Sequence, residues 1–492
     1  MLRRIRIVSA VIFWLGITLL FLDFTGLAAG WLGWMARMQF LPAVLAGNFI
    51  IVALLVVMTL VFGRLYCSVI CPLGVMQDGF ASLGRRSKRN PYSFSPARSA
   101  LRYIMLAVMI VAVALGLGSV FAIIAPYSAY GRIVSSLLQP VWMRCNNLLA
   151  YWAEKHDSYA FYSVDVWIRS GLSLGIAVVT LVVLAILAWR NGRTYCNTIC
   201  PVGTLLGFIS RFSLLKPVID TSKCVGCGKC ARNCKASCID AGNHAIDYSR
   251  CVVCFDCIGN CSIGAISYRR RPSVKKKPVR AKVEDSGRRA FMAVATAAGT
   301  AAVTKAQIKV DGGLAVIQDK KIPERQTPVL PPGAVSHAHL VRHCTGCQLC
   351  VASCPNNVLR PSGSPQSFMM PVVSYERGYC RPECTRCGEV CPAGAIHRLS
   401  REDKSALSIG HAVWIRDNCI VVADGRRCGN CARHCPSGAI SMVPMVPGDA
   451  DSLLIPAVDP EKCIGCGACE NLCPSRPLSA IYVEGNHRQR EI

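Results

Sequence analysis

Eight of the nine cysteines between residues 224 and 261 constrain this chain more than any other stretch. Cys224, Cys227, Cys230 and Cys234 are followed by Cys251, Cys254, Cys257 and Cys261, and both halves read CxxCxxCxxxC. That spacing wraps three thiolates around one iron–sulfur cube and sends the fourth to its neighbour. Cys261 is therefore expected with Cys224, Cys227 and Cys230, and Cys234 with Cys251, Cys254 and Cys257. A zinc site or a disulfide scaffold does not repeat this asymmetric spacing. One ligand stays open: Cys234 is followed by Lys235 instead of the usual proline, and Cys238 could replace it.

A second constellation closes the chain. Its four groups are Cys344, Cys347, Cys350, Cys354; Cys380, Cys384, Cys387, Cys391; Cys419, Cys428, Cys431, Cys435; and Cys463, Cys466, Cys469, Cys473. Each ends in CxxCxxxCP, with Pro355, Pro392, Pro436 and Pro474, and zinc pairs need neither the third step nor the trailing proline. Sixteen cysteines serve four cubes, which brings the expected total to six [4Fe-4S] clusters. The expected exchange pairs the first group with the last, placing Cys473 beside Cys344 and Cys354 beside Cys463. The two middle groups then share Cys435 and Cys391.

At 52% hydrophobic residues the chain is too apolar to be soluble throughout. Four apolar runs, at residues 7–24, 41–62, 103–125 and 167–189, each have about the length that spans roughly 30 Å of hydrocarbon. A loop holding Trp31 and Trp34 follows the first. Arg3, Arg4 and Arg6 precede the first run, seven basic residues from Arg64 to Arg102 separate the second and third, and Arg190 and Arg193 follow the fourth. The positive-inside rule then puts both ends of this four-helix unit, and residues 216–268 after it, in the cytoplasm. The formal charge of +27 drops to roughly +15 once cluster charge is counted. The remaining excess sits near membrane segments, where anionic lipid explains it and nucleic acid does not.

The unit carries an internal repeat. Residues 63–74 read GRLYCSVICPLG and residues 192–203 read GRTYCNTICPVG, with eight of twelve positions identical. Each half supplies a CxxxCP motif, Cys67 and Cys71 in one and Cys196 and Cys200 in the other. The four thiols can meet around an extra metal or small cluster or act as two dithiol pairs, or the motif can be a structural turn whose Gly and Pro end one helix and start another. None of the nine histidines lies in an apolar run and CxxCH is absent, so neither a bis-histidine haem nor haem c is expected. No quinone site can be read from the sequence; Asp23, Tyr127, Tyr130 and His156 are polar groups near the run edges and no more.

Residues 269–335 read as a basic linker, and within it Arg288 and Arg289 precede an Ala-rich stretch that matches a twin-arginine export signal in mid-chain. Residues 323–333 are a Pro-rich spacer. The expected architecture is an α-helical membrane domain at 1–215, built as a duplicated hairpin of four spans, an α+β ferredoxin-like two-cluster module at 216–268, and a second α+β four-cluster domain at 336–492.

On these motifs, residues 1–270 resemble the NapH family of membrane ferredoxins, relatives of the NosR and CcoG types, and residues 286–490 resemble the exported four-cluster NapG type. The resemblance implies a membrane-bound electron carrier that oxidises quinol and supplies a soluble periplasmic reductase or cytochrome. It implies roles for Cys67, Cys71, Cys196 and Cys200 and for the 24 cluster cysteines. Two other functions fit part of the pattern: a CcoG-type copper-reducing assembly factor, and a subunit of a cytoplasmic ferredoxin-linked complex.

Overall fold

The computed structural model describes residues 1–86, 92–270, 319–449 and 451–492. The twin-arginine stretch lies outside the described residues. Apolar sequence makes the first half helical: α1 (Leu2–Leu22), α2 (Leu27–Arg37), α3 (Phe40–Leu45), α4 (Phe49–Phe62), α5 (Tyr66–Val69) and α6 (Pro72–Arg86) form one half of the duplication. The other comprises α7 (Ser99–Ala114), α8 (Gly118–Ile124), α9 (Pro126–Ile133), α10 (Gln139–Lys155), α11 (Gly171–Asn191), α12 (Thr194–Thr198) and α13 (Pro201–Ser210).

Among the described residues two helices, α1 and α11, are long and apolar enough to cross a membrane, and a third span exists only if Gly118–Ile124 and Pro126–Lys155, bent by 70°, count as one; the expectation of four such spans does not hold. The run at 41–62 breaks between α3 and α4, and the run at 103–125 between α7 and α8. In each case a glycine with positive φ, Gly47 at 65° and Gly116 at 67°, turns the chain. Helices of 14 and 16 residues remain, α4 and α7. Trp31 and Trp34 are not in a loop but on α2, which folds back along α1 with Met35 against Gly16.

The cysteine-rich regions form small two-stranded antiparallel sheets around irregular loops. In the module after α13, β1 (Leu215–Ile219) pairs with β4 (Ile266–Arg270), joining its two ends, and β2 (Ile239–Asp240) pairs with β3 (Ala245–Ile246). The C-terminal domain contains β5 (Leu359–Pro361) with β6 (Pro371–Val373), β7 (Leu407–Trp414) with β10 (Ile481–Glu491), and β8 (Ile440–Pro444) with β9 (Leu454–Val458). The Pro-rich stretch does not stand off as a spacer: Gly485 N–H donates to Thr327 O at 3.1 Å and Gln489 N–H to Val335 O at 2.8 Å, so it lies along β10.

The two cysteine-rich regions cap opposite ends of the helices. Arg3 at the start of α1 pairs with Asp256 at 2.9 Å, whereas Phe21 near its end packs against Gly131 in the segment that contacts Cys347. On α11 the order reverses: Ser173 near the start hydrogen-bonds Gln348, and Gly192 just past the end touches Lys235. A 21-residue helix is about 30 Å long, which sets the separation of the two caps.

Candidate electron-transfer centres

The repeated motif builds a two-fold arrangement between the caps. Gly63 and Gly192, at φ 75° and 68°, end α4 and α11, and Pro72 and Pro201 open α6 and α13 at the position where a missing N–H costs nothing. The motif arginines exchange across the axis. Arg64 Nη2 donates to Cys196 O at 3.3 Å, and Arg193 Nη1 donates to Cys67 O. Gly74 and Gly203 sit against those same two carbonyls, where a Cβ would collide. Gly74→Ala or Gly203→Ala is therefore expected to disrupt the pairing of the two halves. Measured by thermal unfolding in detergent, each should cost at least about 1–3 kcal/mol, as overpacking does; no loss would contradict this geometry.

Cys67, Cys71, Cys196 and Cys200 are all buried, between 3% and 5% exposed. They face one another: Cys71 lies within electrostatic reach of Cys196 and Cys67, and Cys200 within reach of Cys196, Cys71 and Cys67. Donors surround the sulfurs. Gly203 N–H lies 3.3 Å from Cys200 Sγ, Gln77 Nε2 3.4 Å from Cys196 Sγ, and Arg64 Nη2 3.8 Å from Cys67 Sγ. Arg64 Nε and Arg193 Nη2 are buried with no hydrogen-bond partner. Four thiols with N–H donors and two buried guanidiniums suit a negatively charged thiolate-bound centre. Among the described residues no three ligands close around the position of a single metal ion.

The module after α13 docks on this site. Arg64 Nη1 bonds Ser249 O at 3.0 Å, Arg193 N–H bonds Lys235 O at 2.7 Å, and Asn197 Nδ2 bonds Ala236 O at 3.3 Å. Beneath, Asp78 gathers Arg6, Arg193 (2.7 Å) and Lys235 (2.9 Å), and Lys235 also reaches Asp256 at 3.3 Å. Burial would raise the Asp78 carboxyl, but the three cations outweigh it and hold it well below the usual range.

Within the module, Cys224, Cys227, Cys230 and Cys261 line one cavity, the expected exchange. Cys251, Cys254 and Cys257 line another together with both Cys234 and Cys238, whose sulfurs are 3.5 Å apart. Either sulfur can be the donor in that contact, so both stand in the cavity as candidates for the fourth ligand beside Cys251, Cys254 and Cys257.

In the C-terminal domain the pairing of groups differs from expectation. Cys391, not Cys473, lies with Cys344, Cys347 and Cys350. Cys354 lies with Cys380, Cys384 and Cys387, and Cys435 with Cys463, Cys466 and Cys469. The peptide around Cys473 packs on the third group, where Asn430 Nδ2 bonds Leu472 O at 2.6 Å and Ser475 Oγ bonds Asn418 O at 2.8 Å. The first group thus pairs with the second and the third with the fourth, and the two units meet through Cys380 N–H and Cys466 O, 2.9 Å apart.

The first group also faces the bundle. Ser128 Oγ bonds Thr345 O at 2.5 Å, Gln139 Nε2 bonds Ala352 O at 2.8 Å, and Gly131 packs on Cys347 O. Tyr127, buried beside Phe21, lies within electrostatic reach of Cys347 and Cys391 on one side and Tyr66 on the other; Tyr66 in turn feels Cys71, Cys67 and Cys200. The four motif thiols therefore stand between the two caps. Sequence reasoning missed Arg64, Arg193, Gln77 and Asp78; identity of the arginine, tyrosine and second glycine in both repeats was the available signal for the first two. Cys145 on α10 is exposed, and His156 ends that helix at the surface.

The two arrangements of cysteine loops and short sheets define an iron–sulfur electron-transfer protein with ferredoxin-type domains. Residues 45–91 and 171–219, which hold the two CxxxCP motifs, match the model described as a 4Fe-4S binding domain, and residues 343–395 and 426–476 match a 4Fe-4S dicluster domain. The latter limits agree with pairing of consecutive groups. The methylamine utilization ferredoxin-type protein MauM of Methylobacillus flagellatus is 32% identical over 166 residues, covering 33% of this chain and 70% of that protein. The ferredoxin-type protein NapG of Escherichia coli is 29% identical over 228 residues, 42% of this chain and 92% of that protein, and NapF of the same organism is 26% identical over 181 residues, 36% and 100%. The chain belongs to the family of ferredoxin-type proteins that includes MauM.

Proposed function

We propose that the chain takes electrons from membrane quinol at one cap and delivers them at the other to a soluble periplasmic redox partner. The observation that carries this reading is the position of Cys67, Cys71, Cys196 and Cys200, buried between two cysteine-rich caps at opposite ends of the helices. In this reading the unit spans the bacterial cytoplasmic membrane, residues 216–268 face the cytoplasm, and residues 336–492 lie outside, with the basic residues beside α1 and α11 on the inner side. The caps hold six [4Fe-4S] clusters through the 24 cysteines, and the four motif thiols hold a seventh centre. Such groups, when bound, accept and release single electrons.

The residues of the chain set the conditions. Quinol becomes quinone by giving two electrons, taken up one at a time by the cubes, and two protons, released to water. Arg64 joins the inner module to Cys67, Tyr66 and Tyr127 fill the space toward Cys347, and close packing excludes water around the four thiols.

The test is anaerobic reduction of the purified, cluster-loaded protein by reduced menaquinone, followed by electron paramagnetic resonance. Reduced-cube signals are expected. Signals that appear only with dithionite and vanish on adding quinone would reverse the direction of flow. No response to quinone in either state would favour a metal-reducing assembly role.

A further inference from the structure

A cavity of about 880 Å³ opens at the inner end of the bundle, between α1, α6 and the module after α13. Its volume is in the range of sites for small organic ligands. One side is apolar: Ile7 and Val11 on α1 and Met76 and Leu83 on α6, with Trp14, Phe80 and Tyr92 supplying flat faces. Ile7, Val11 and Leu83 are 40%, 44% and 49% exposed on the outside of the helices, so the cavity opens sideways where hydrocarbon would lie. The other end is polar, formed by Arg6, Asp78, Lys235 and Asp256.

That polar wall is also the back of a cluster loop. Asn233 and Lys235 flank Cys234, and Asp256 precedes Cys257. Arg6 and Trp14, both lining the cavity, each carry a buried N–H, Nε and Nε1, without a hydrogen-bond partner, and Arg6 is only 7% exposed. Buried N–H groups normally find an acceptor. A ligand with a flat ring, carbonyl oxygens and a long apolar tail meets each requirement. Phospholipid fits less well: Arg3, Arg6 and Lys235 are already paired with Asp78 and Asp256, which would oppose a phosphate, and a lipid gains nothing from contact with a cluster loop.

We propose that this cavity binds an isoprenoid quinone, its ring at the Arg6, Asp78 and Lys235 end and its tail leaving between α1 and α6. The inference rests on the quinol reading above and adds the site. Gly79 on α6 lines the cavity, and a Cβ there would meet nothing within 4 Å, so a large side chain can fill the space without disturbing the helix.

The test uses full-length, cluster-loaded protein in nanodiscs of phosphatidylethanolamine and phosphatidylglycerol, with a photoactivatable azido-menaquinone analogue as probe. Label is expected on residues 3–14 and 75–85, with affinity reduced at least about tenfold in Gly79→Trp and in Val11→Trp from the opposite wall, while the visible cluster spectrum is unchanged. Label confined to other segments, unchanged affinity in both variants, or displacement by added phosphatidylglycerol instead of menaquinone would overturn the site. Menaquinol reduction of the cubes is read in parallel and judges the function separately. Equal reduction of wild type and both variants removes the cavity from the account but keeps quinol oxidation. Reduction of neither by menaquinol, with both reduced by dithionite, removes quinol oxidation itself.

Discussion

Cys71→Ser is expected to leave the six cube sites loaded and to slow reduction of the outer set by electrons entering at the inner cap by at least about 100-fold, the upper end of what losing even an outer partner of a metal ligand costs. The residue is 5% exposed and faces Cys67, Cys196 and Cys200, far in sequence from every cube cysteine. Its backbone turn is set by Tyr66 and by Pro72, neither of which the substitution touches. Serine keeps the size but lacks the soft sulfur that holds iron. Iron content per chain, the spectrum of the two caps and the rate of outer-set reduction separate the outcomes. Loss of one centre's worth of iron with a blocked rate is the expected combination. Normal transfer would show that the four thiols are a structural turn.

The second large effect concerns the frame of the C-terminal domain. Arg325→Met should lower its stability by about 3–5 kcal/mol, a drop in Tm on the order of 10 °C. Glu470, next to Cys469, is 1% exposed and accepts from Arg325 Nη2 at 2.6 Å and Val483 N–H at 2.8 Å. Burial pushes its carboxyl above the usual range and Arg325 pulls it back, so removing the arginine leaves a buried charge without its partner. Replacing both, Arg325→Met with Glu470→Leu, should cost less than the single change, because no charge is then stranded. Calorimetry of cluster-loaded protein checks this; a double variant less stable than the single would contradict it.

The cysteine frame was legible because spacing is local. A CxxCxxC loop dictates its own wrap, and the exchange of Cys261 within the first module follows from two adjacent copies. The order of the four later groups was not legible, since pairing the first with the last or with the second satisfies the same spacing; only the packing of Cys391 and Cys354 decides it. The duplication was visible in GRLYCSVICPLG and GRTYCNTICPVG, and so was the meeting of its four thiols as one alternative. Continuous spans at 41–62 and 103–125 were over-read: hydropathy counts apolar residues and is blind to Gly47 and Gly116 turning the helix. Asp78 escaped notice because its partners Arg6, Arg193 and Lys235 come from three separate segments, and nothing in sequence brings them together.

The most direct measurement is made on protein in liposomes with the C-terminal domain outward, with menaquinol in the bilayer, following the two cluster sets by freeze-quench electron paramagnetic resonance. The account predicts that the inner set is reduced first and the outer set follows, and that in Cys71→Ser the inner set alone is reduced. Direct reduction of the outer set at the wild-type rate in Cys71→Ser would contradict a path through the four buried thiols.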